Sequence, residues 1–586
     1  MTYAVLAGLL VSFGRYAAAQ TSTPSVSDFD WTTVKPSTSL NYTTCYGSYK
    51  CAKLSVPLDW LNNSTVNSTA RVTIAITTLP AVVAESDPSF GGTIIINPGG
   101  PGGSGVQYVL ASGKSLQAIA DGNKHYEILS FDPRGVGLTE PKADCFNDEF
   151  TRAVANIQLR AMGPLNSGLD AVRKQTSLYG AYGSLCEAGP EILAYVSTSS
   201  VARDMVEIVD KIAESRNQNS TSSTEVPRIQ YWGISYGTVL GNYFASMFPG
   251  RVGRMILEAV VDIHDYTAGA WSKSLQDTLN VYGTLWSTCF NSGSSCALYQ
   301  PSDTSADDIR QRVEAFLDSL DVSPAQFVSQ SSIDEITKAD VTYLIFEALY
   351  QPLQLFPYGA VLLSAAMAGN FTLLHAALAL PTSSTSCPPA PAPESYTWSS
   401  DTLAAVACGD AASLAGLSTP EFLAYLREQQ ALAADFGAYW ARIRLSCTGW
   451  RVRPAYRFEG PFTTPQADPA GVEGRPEAPL LFLSSMYDPV TPHANAVAMA
   501  REHVGSVVLV QDNAGHGTQS VPGRCRDGYV RAYFETGEVP PEGTVCEADC
   551  TPFQECPQAG LTKRGLDGEG VPELLRRRRA PLGMGV

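Results

Sequence analysis

Charge is scarce in this chain and weighted to one sign. Only 17% of the 586 residues are Asp, Glu, Lys or Arg, and 40 basic residues face 57 acidic ones, for a net charge of −17. A surface of that sign offers no hold to a polyanion, so nucleic acid and anionic membrane are excluded as principal partners. Beyond the first residues no apolar run approaches the roughly 20 needed to cross a bilayer. Histidine is rare, with six in all, and the 13 cysteines include no paired C-x-x-C motifs at zinc spacing. Disulfides rather than a metal site are the expected fate of the cysteines. Glycine-rich loops occur, yet none carries the Lys-Ser/Thr of a P-loop or the spacing of a dinucleotide fingerprint.

What is present is ordinary globular sequence, 44% hydrophobic, in a chain longer than one compact core needs. A large domain with a substantial insertion, or a second domain, is therefore expected. Residues 1–19 contain the apolar run 4–11 and end in Ala17-Ala18-Ala19. This is the pattern of a secretory signal peptide; Arg15 leaves the run too short for a membrane anchor. Sequons at Asn41, Asn62, Asn63, Asn67, Asn219 and Asn370 add the expectation of N-glycans on a secreted, extracellular protein. Cysteines close in sequence, Cys45/Cys51 and Cys289/Cys296, and the cluster Cys525, Cys546, Cys550 and Cys556 fit an oxidising compartment. Pairing is not legible from spacing, and the odd count leaves one thiol over.

Along the chain, apolar runs with β-forming composition predict strands at 51–60, 71–77, 92–97 and 126–131. Others follow at 229–232, 254–261, 480–484 and 506–510. Helical patterns lie between them, one of them with the apolar face Val201, Met205, Ile208, Val209 and Ile212 behind a cap at Ser199 or Ser200. Strand, helix and strand in repetition indicate an α/β fold with a mostly parallel sheet. From 262 to about 440 the character turns helical, which predicts a lid inserted over the carboxyl ends of the strands. The core would then comprise 45–261 and 441–556, with a polar, basic tail at 557–586 that is disordered or removed.

The chemistry centres on Gly233-Ile-Ser235-Tyr-Gly237, preceded by a strand and followed by a helical segment stopped at Pro249-Gly250. That context distinguishes a nucleophile elbow from an ordinary glycine-rich turn. A serine hydroxyl needs a base and the base an orienting acid, and in this arrangement they follow in the order Ser, Asp or Glu, His. Three histidines lie well downstream. His493 follows Asp488-Pro-Val-Thr-Pro too closely, and His503 sits in a helical run. His516, in Asn513-Ala-Gly-His-Gly517 just past a strand, hangs where a catalytic base must. Asp488, just past the 480–484 strand, is the acid; an Asp-Pro turn initiator is its plainer explanation.

The loop Pro98-Gly-Gly-Pro-Gly-Gly-Ser-Gly105, after a fully apolar strand, suits an oxyanion hole better than a phosphate cradle. The expected donors are the N–H groups of Gly100 and Tyr236. Asp132 and Arg134 are either catalytic or a buried ion pair that fixes their loop. This chemistry implies no cofactor and no metal, since proton transfer and the oxyanion hole suffice.

Five segments in order, 97–105, 131–137, 233–238, 487–492 and 515–517, together resemble the tripeptidyl aminopeptidase-like branch of the α/β-hydrolases, with proline iminopeptidases as more distant relatives. Residues 537–546 look like that branch's C-terminal region. The resemblance implies release of short peptides or residues from a free N-terminus, with Ser235, Asp488 and His516 on the family's catalytic positions. Pro98 stands where the iminopeptidases have the histidine of His-Gly-Gly-Pro-Gly. Glu258 stands where the branch often has aspartate. Glu258, Asp262 or Asp265 would receive a substrate ammonium, or else make a structural hydrogen bond. A secreted carboxylesterase using the same triad is the alternative enzyme; a catalytically dead binding protein is disfavoured because every triad and oxyanion position is filled. The substrate is then a peptide or a small acyl compound.

Overall fold

The computed structural model describes residues 24–62, 70–217, 226–328, 333–378 and 400–556. The expected leader, the sequons at Asn63, Asn67 and Asn219, Cys387 and the tail lie outside them. Ten strands form one sheet: β1 (Thr43–Cys45), β2 (Tyr49–Pro57), β3 (Arg71–Leu79), β4 (Phe90–Asn97), β5 (His125–Phe131), β6 (Ile229–Ile234), β7 (Val252–Glu258), β10 (Leu481–Tyr487), β11 (Val507–Ala514) and β12 (Val545–Glu547). The remaining two, β8 (Ala325–Val328) and β9 (Ile333–Ile336), pair with each other as a separate antiparallel ribbon.

The order across the sheet is β1-β2-β3-β5-β4-β6-β7-β10-β11-β12. The first three strands join antiparallel, and from β5 to β12 every pair is parallel. Order reverses at β4, with β5 on one side and β6 on the other. In open α/β sheets a crevice opens outside the carboxyl ends at such a reversal. The central strands read as continuous apolar runs because helices cover both faces; Ile94, Ile95 and Ile96 of β4 are all buried.

The helix Thr198–Asn217 buries the predicted face Val201, Met205, Ile208, Val209 and Ile212. It begins one residue before the expected caps. Ser197 Oγ instead accepts from the N–H of Ser200, so the capping serine is Ser197. Arg134 is fully buried as the second reading of that residue required, but its partner is Asp204 of this helix, not Asp132. Asp132 accepts from Ser104 Oγ and from the backbone of Val106 and Leu138, and burial pushes its carboxyl up to about 6.

Between β7 and β10 the chain leaves the sheet for a long, mainly helical insertion. Residue 440, its expected end, falls inside the helical stretch Thr419–Gly449, which is broken at Ala433–Ala434, so the insertion runs on to Gly449 at least. At the amino end, Trp31 is buried and its indole donates to Tyr46 Oη, so the core also includes residues before the expected start at 45.

Six disulfides close among the described residues: Cys45–Cys51, Cys145–Cys186, Cys289–Cys296, Cys408–Cys447, Cys525–Cys546 and Cys550–Cys556. They use the short-range pairs expected and resolve the C-terminal cluster. Asn41, Asn62 and Asn370, the described sequons, are exposed. No helix among the described residues is long and apolar enough to cross a membrane.

Candidate active site

Ser235 stands at the end of β6 with φ 58° and ψ −125°, a backbone conformation held at a cost of order 1–3 kcal/mol. The flanking glycines are what close packing requires. A Cβ on Gly233 would lie 2.3 Å from the carbonyl of Gly237, and one on Gly237 would lie 2.5 Å from that of Asn97. The turn is tied to the sheet because Ser235 N–H donates to the Glu258 carbonyl at 2.9 Å. The helix Tyr236–Met247 leads away directly after the serine, as an elbow demands.

Asp488 and His516 come together from the ends of β10 and β11. The imidazole Nδ1 lies 3.1 Å from each carboxylate oxygen of Asp488. A carboxylate there accepts, so Nδ1 carries the hydrogen and Nε2 is left to accept a proton. Asp488 is fully buried and held by three backbone N–H groups, those of Val490, Thr491 and Gly517. Thr491 Oγ1 adds a contact at 3.2 Å to Nδ1. Ser235 and His516 line one cavity of about 190 Å³ with Gly99, Gly100 and Tyr236. His503 is buried elsewhere against Thr464 Oγ1, and burial pushes it down to about 4. His493 lies at the start of the helix His493–Glu502, and burial lowers it too. His516 is the one histidine among the cavity's lining residues.

In the glycine loop, Gly99 packs against the elbow so closely that a Cβ there would lie 2.8 Å from Tyr236 N. Its own N–H donates to Asn97 Oδ1. Gly100, at φ +119°, is the next amide along the cavity wall.

Glu258 departs from the substrate-ammonium reading. It is fully buried, is not among the cavity-lining residues, and is surrounded by donors of the protein itself. Thr518 Oγ1 and the Gln519 N–H donate to Oε1, while Trp232 Nε1 and Gln519 Nε2 donate to Oε2. The carboxylate thus anchors the loop just after His516 to the strand beside the elbow, which is the structural hydrogen bond in a stronger form. Asp262 is likewise occupied, as the cap of the short helix Ile263–Thr267 and by Lys273. Asp265 accepts from Ser272. Glu258→Gln would face a donor with a donor. We expect kcat to fall about 10- to 100-fold with KM nearly unchanged. Unchanged kinetics would remove Glu258 from positioning the histidine loop.

The far wall of the cavity comes from the insertion: Tyr343, Glu347 and Tyr350 from one stretch, Leu403 from another, and Trp440 and Ile443 from the last helical stretch. Two of the contacts that fasten the insertion to the core reach residues of the candidate site. The N–H of His516 donates to the Tyr350 carbonyl at 2.9 Å, and the two rings meet edge to face. Asp410, buried at the end of the helix Ser400–Asp410, accepts from the Thr198 N–H and Tyr266 Oη, while Thr198 Oγ1 meets Tyr236 Oη. Burial pushes Asp410 up to about 6 from an ordinary 3.8. The folded chain holds this proton more tightly, so the contribution is full below about pH 4 and lost as pH rises through about 6. None of these insertion residues carried a sequence motif, and they escaped the sequence reading for that reason.

Comparison with known proteins decides the family. Residues 92–282 match the alpha/beta hydrolase fold model and residues 432–546 the model for TAP-like proteins. This chain is a serine hydrolase of the α/β-hydrolase family. The hydrolase is 25% identical to a tripeptidyl aminopeptidase of Streptomyces lividans over 86% of its length and 84% of the relative's. It is also 25% identical to the serine protease Hip1 of Mycobacterium tuberculosis, over 85% of this chain and 88% of that one. A carboxylesterase B of Mycobacterium tuberculosis is 26% identical over 85% of this chain and 86% of the relative. The TAP-like match spans Asp488 and His516, and the fold match spans the glycine loop and Ser235.

Proposed function

We propose that this hydrolase is a secreted aminopeptidase that releases short peptides or residues from free N-termini through a Ser235-His516-Asp488 acyl-enzyme. The observation that carries the reading is that His516, bonded to the buried Asp488, lines the same cavity as a strained serine elbow. His516 Nε2 takes the hydroxyl proton as Ser235 Oγ attacks the scissile carbonyl. Asp488 stabilises the imidazolium that forms and keeps the ring in the productive tautomer. The oxyanion collects the N–H groups of Tyr236 and Gly100, each donor contributing about 3 kcal/mol of barrier lowering. In favour of Gly100 over Gly99 is that the Gly99 N–H already donates to Asn97. His516 then protonates the leaving amine, and water attacks the acyl-enzyme by the same route in reverse.

Peptide rather than ester as substrate is supported by the tripeptidyl aminopeptidase and protease among the relatives. The signal-like segment, the exposed sequons with their expected glycans and six disulfides support secretion. The carboxylesterase relative favours the second reading, the same triad acting on an ester. The two part on one comparison: kcat/KM for a chromogenic tripeptide anilide with a free N-terminus against its N-acetylated twin. An aminopeptidase cleaves the first at least about 100-fold faster. If neither anilide is cleaved and a short-chain aryl ester is, the esterase reading takes its place.

A further inference from the structure

Among the residues that line the catalytic cavity there is one carboxylate, Glu347, and neither lysine nor arginine. Glu347 is buried, on the helix Lys338–Ala348 of the insertion, and thus belongs to the wall facing Ser235 rather than to the core. Its position relative to the reacting atoms is not left to a mobile element. Three residues on, Tyr350 accepts the backbone N–H of His516 and sets its ring against the imidazole. One turn back, Tyr343 is hydrogen-bonded to Glu347; burial and the neighbouring negative charge push its phenol well above the usual range. Tyr343 therefore stays a neutral donor that orients the carboxylate.

We infer that Glu347 receives the α-ammonium of the peptide substrate, and so makes the enzyme specific for unblocked N-termini. This rests on the aminopeptidase reading. With the scissile carbonyl at Ser235, the residues on its amino side must run across the cavity toward the insertion, because the core side is taken up by the elbow and the glycine loop. A carboxylate as buried as Glu347 interacts with a cation more strongly than one in water. The aromatic side chains lining the same cavity, Tyr343, Tyr350 and Trp440, add attraction for an ammonium. An acetylated terminus loses the charge and adds bulk at the same point. The span from Ser235 to Glu347 is set by the Tyr350–His516 fastening. It therefore also sets how many residues fit between the ammonium and the scissile bond, and thus the length of the released product.

The test is the ratio of kcat/KM for the free tripeptide anilide to that for its acetylated twin, which does not depend on the fraction of enzyme that folds. In Glu347→Gln this ratio should fall by about 30-fold or more, chiefly through KM. Wild-type kcat/KM on the free peptide should decline above about pH 8, where the substrate ammonium deprotonates, and in Glu347→Gln that decline should vanish. Glu347→Asp, which keeps the charge on a shorter arm, should retain most of the ratio. A high wild-type ratio left intact in Glu347→Gln overturns the inference while the aminopeptidase reading stands. So does an equal loss in the Asp and Gln variants. A wild-type ratio near one, or no decline above pH 8, overturns it too, the first of these together with the reading it rests on.

Discussion

Ser235→Ala should lower kcat by about 10⁴- to 10⁶-fold on whichever acyl substrate the enzyme turns over, leaving KM within a few-fold. The change removes one oxygen. The Ser235 N–H bond to Glu258 and the Thr238 N–H bond back to the Ser235 carbonyl belong to the backbone, so the elbow persists. Substrate binding should persist with it, which separates a lost nucleophile from a lost fold. Asp488→Asn should cost about 10⁴-fold by a different route. Asp488 accepts three backbone N–H groups as well as the imidazole. An amide must turn its NH₂ toward one of these donors and can no longer fix the tautomer. Burst kinetics with an activated ester would show the acyl-enzyme in wild type and none in Ser235→Ala. A Ser235→Ala enzyme with more than a tenth of wild-type kcat would place the nucleophile elsewhere.

The largest effect on stability should come from Asp204→Ala. Arg134 is fully buried and places its guanidinium 2.7 Å from Asp204 Oδ1 and 2.7 Å from the Pro57 carbonyl, with the Leu58 carbonyl as a further acceptor. Asp204 accepts in addition from Trp60 Nε1. The ion pair thereby ties the end of β2 and the loop after β5 to the helix Thr198–Asn217. Removing the carboxylate strands a charge that cannot leave its site, at a cost of about 3–5 kcal/mol. Urea unfolding should show a lower midpoint at unchanged slope. Arg134→Met with Asp204→Leu should cost less than Asp204→Ala alone, since no charge is left behind. A loss below about 1 kcal/mol in the single variant would mean that water reaches Arg134.

Two of the fastenings between insertion and core reach the candidate site. One joins Tyr350 to the loop of His516, and the other joins Asp410 through Thr198 to Tyr236, the residue after Ser235. Both end at residues that line the cavity with Ser235. The insertion is therefore part of the apparatus that positions them as well as a cover that narrows access.

The strands of the sheet beyond its short outer pieces, and the elbow, were legible from local pattern. Short apolar β-branched runs bounded by turn residues suit strands covered on both faces, and Gly233 and Gly237 stand where a side chain would collide with backbone. The order of serine, aspartate and histidine that such a topology imposes singles out Ser235, Asp488 and His516 along the chain; the structure joins Asp488 to His516 and sets His516 on the cavity that Ser235 lines. The antiparallel start of the sheet, β12, the partner of Arg134 and the pairing of the C-terminal cysteines were not legible, because each depends on contacts between distant segments. Glu258 shows the limit most clearly. Its place just after a strand suits a ligand carboxylate as well as a structural one, and only the arrival of Trp232, Thr518 and Gln519 around it decides the matter. Glu347 is the converse, an unremarkable glutamate in a helix until folding turns it into the cavity. Local sequence determines backbone conformation and the periodicity of burial through short-range sterics and hydrophobicity. Which polar side chain meets which, and whether it faces solvent, protein or substrate, is decided by long-range packing.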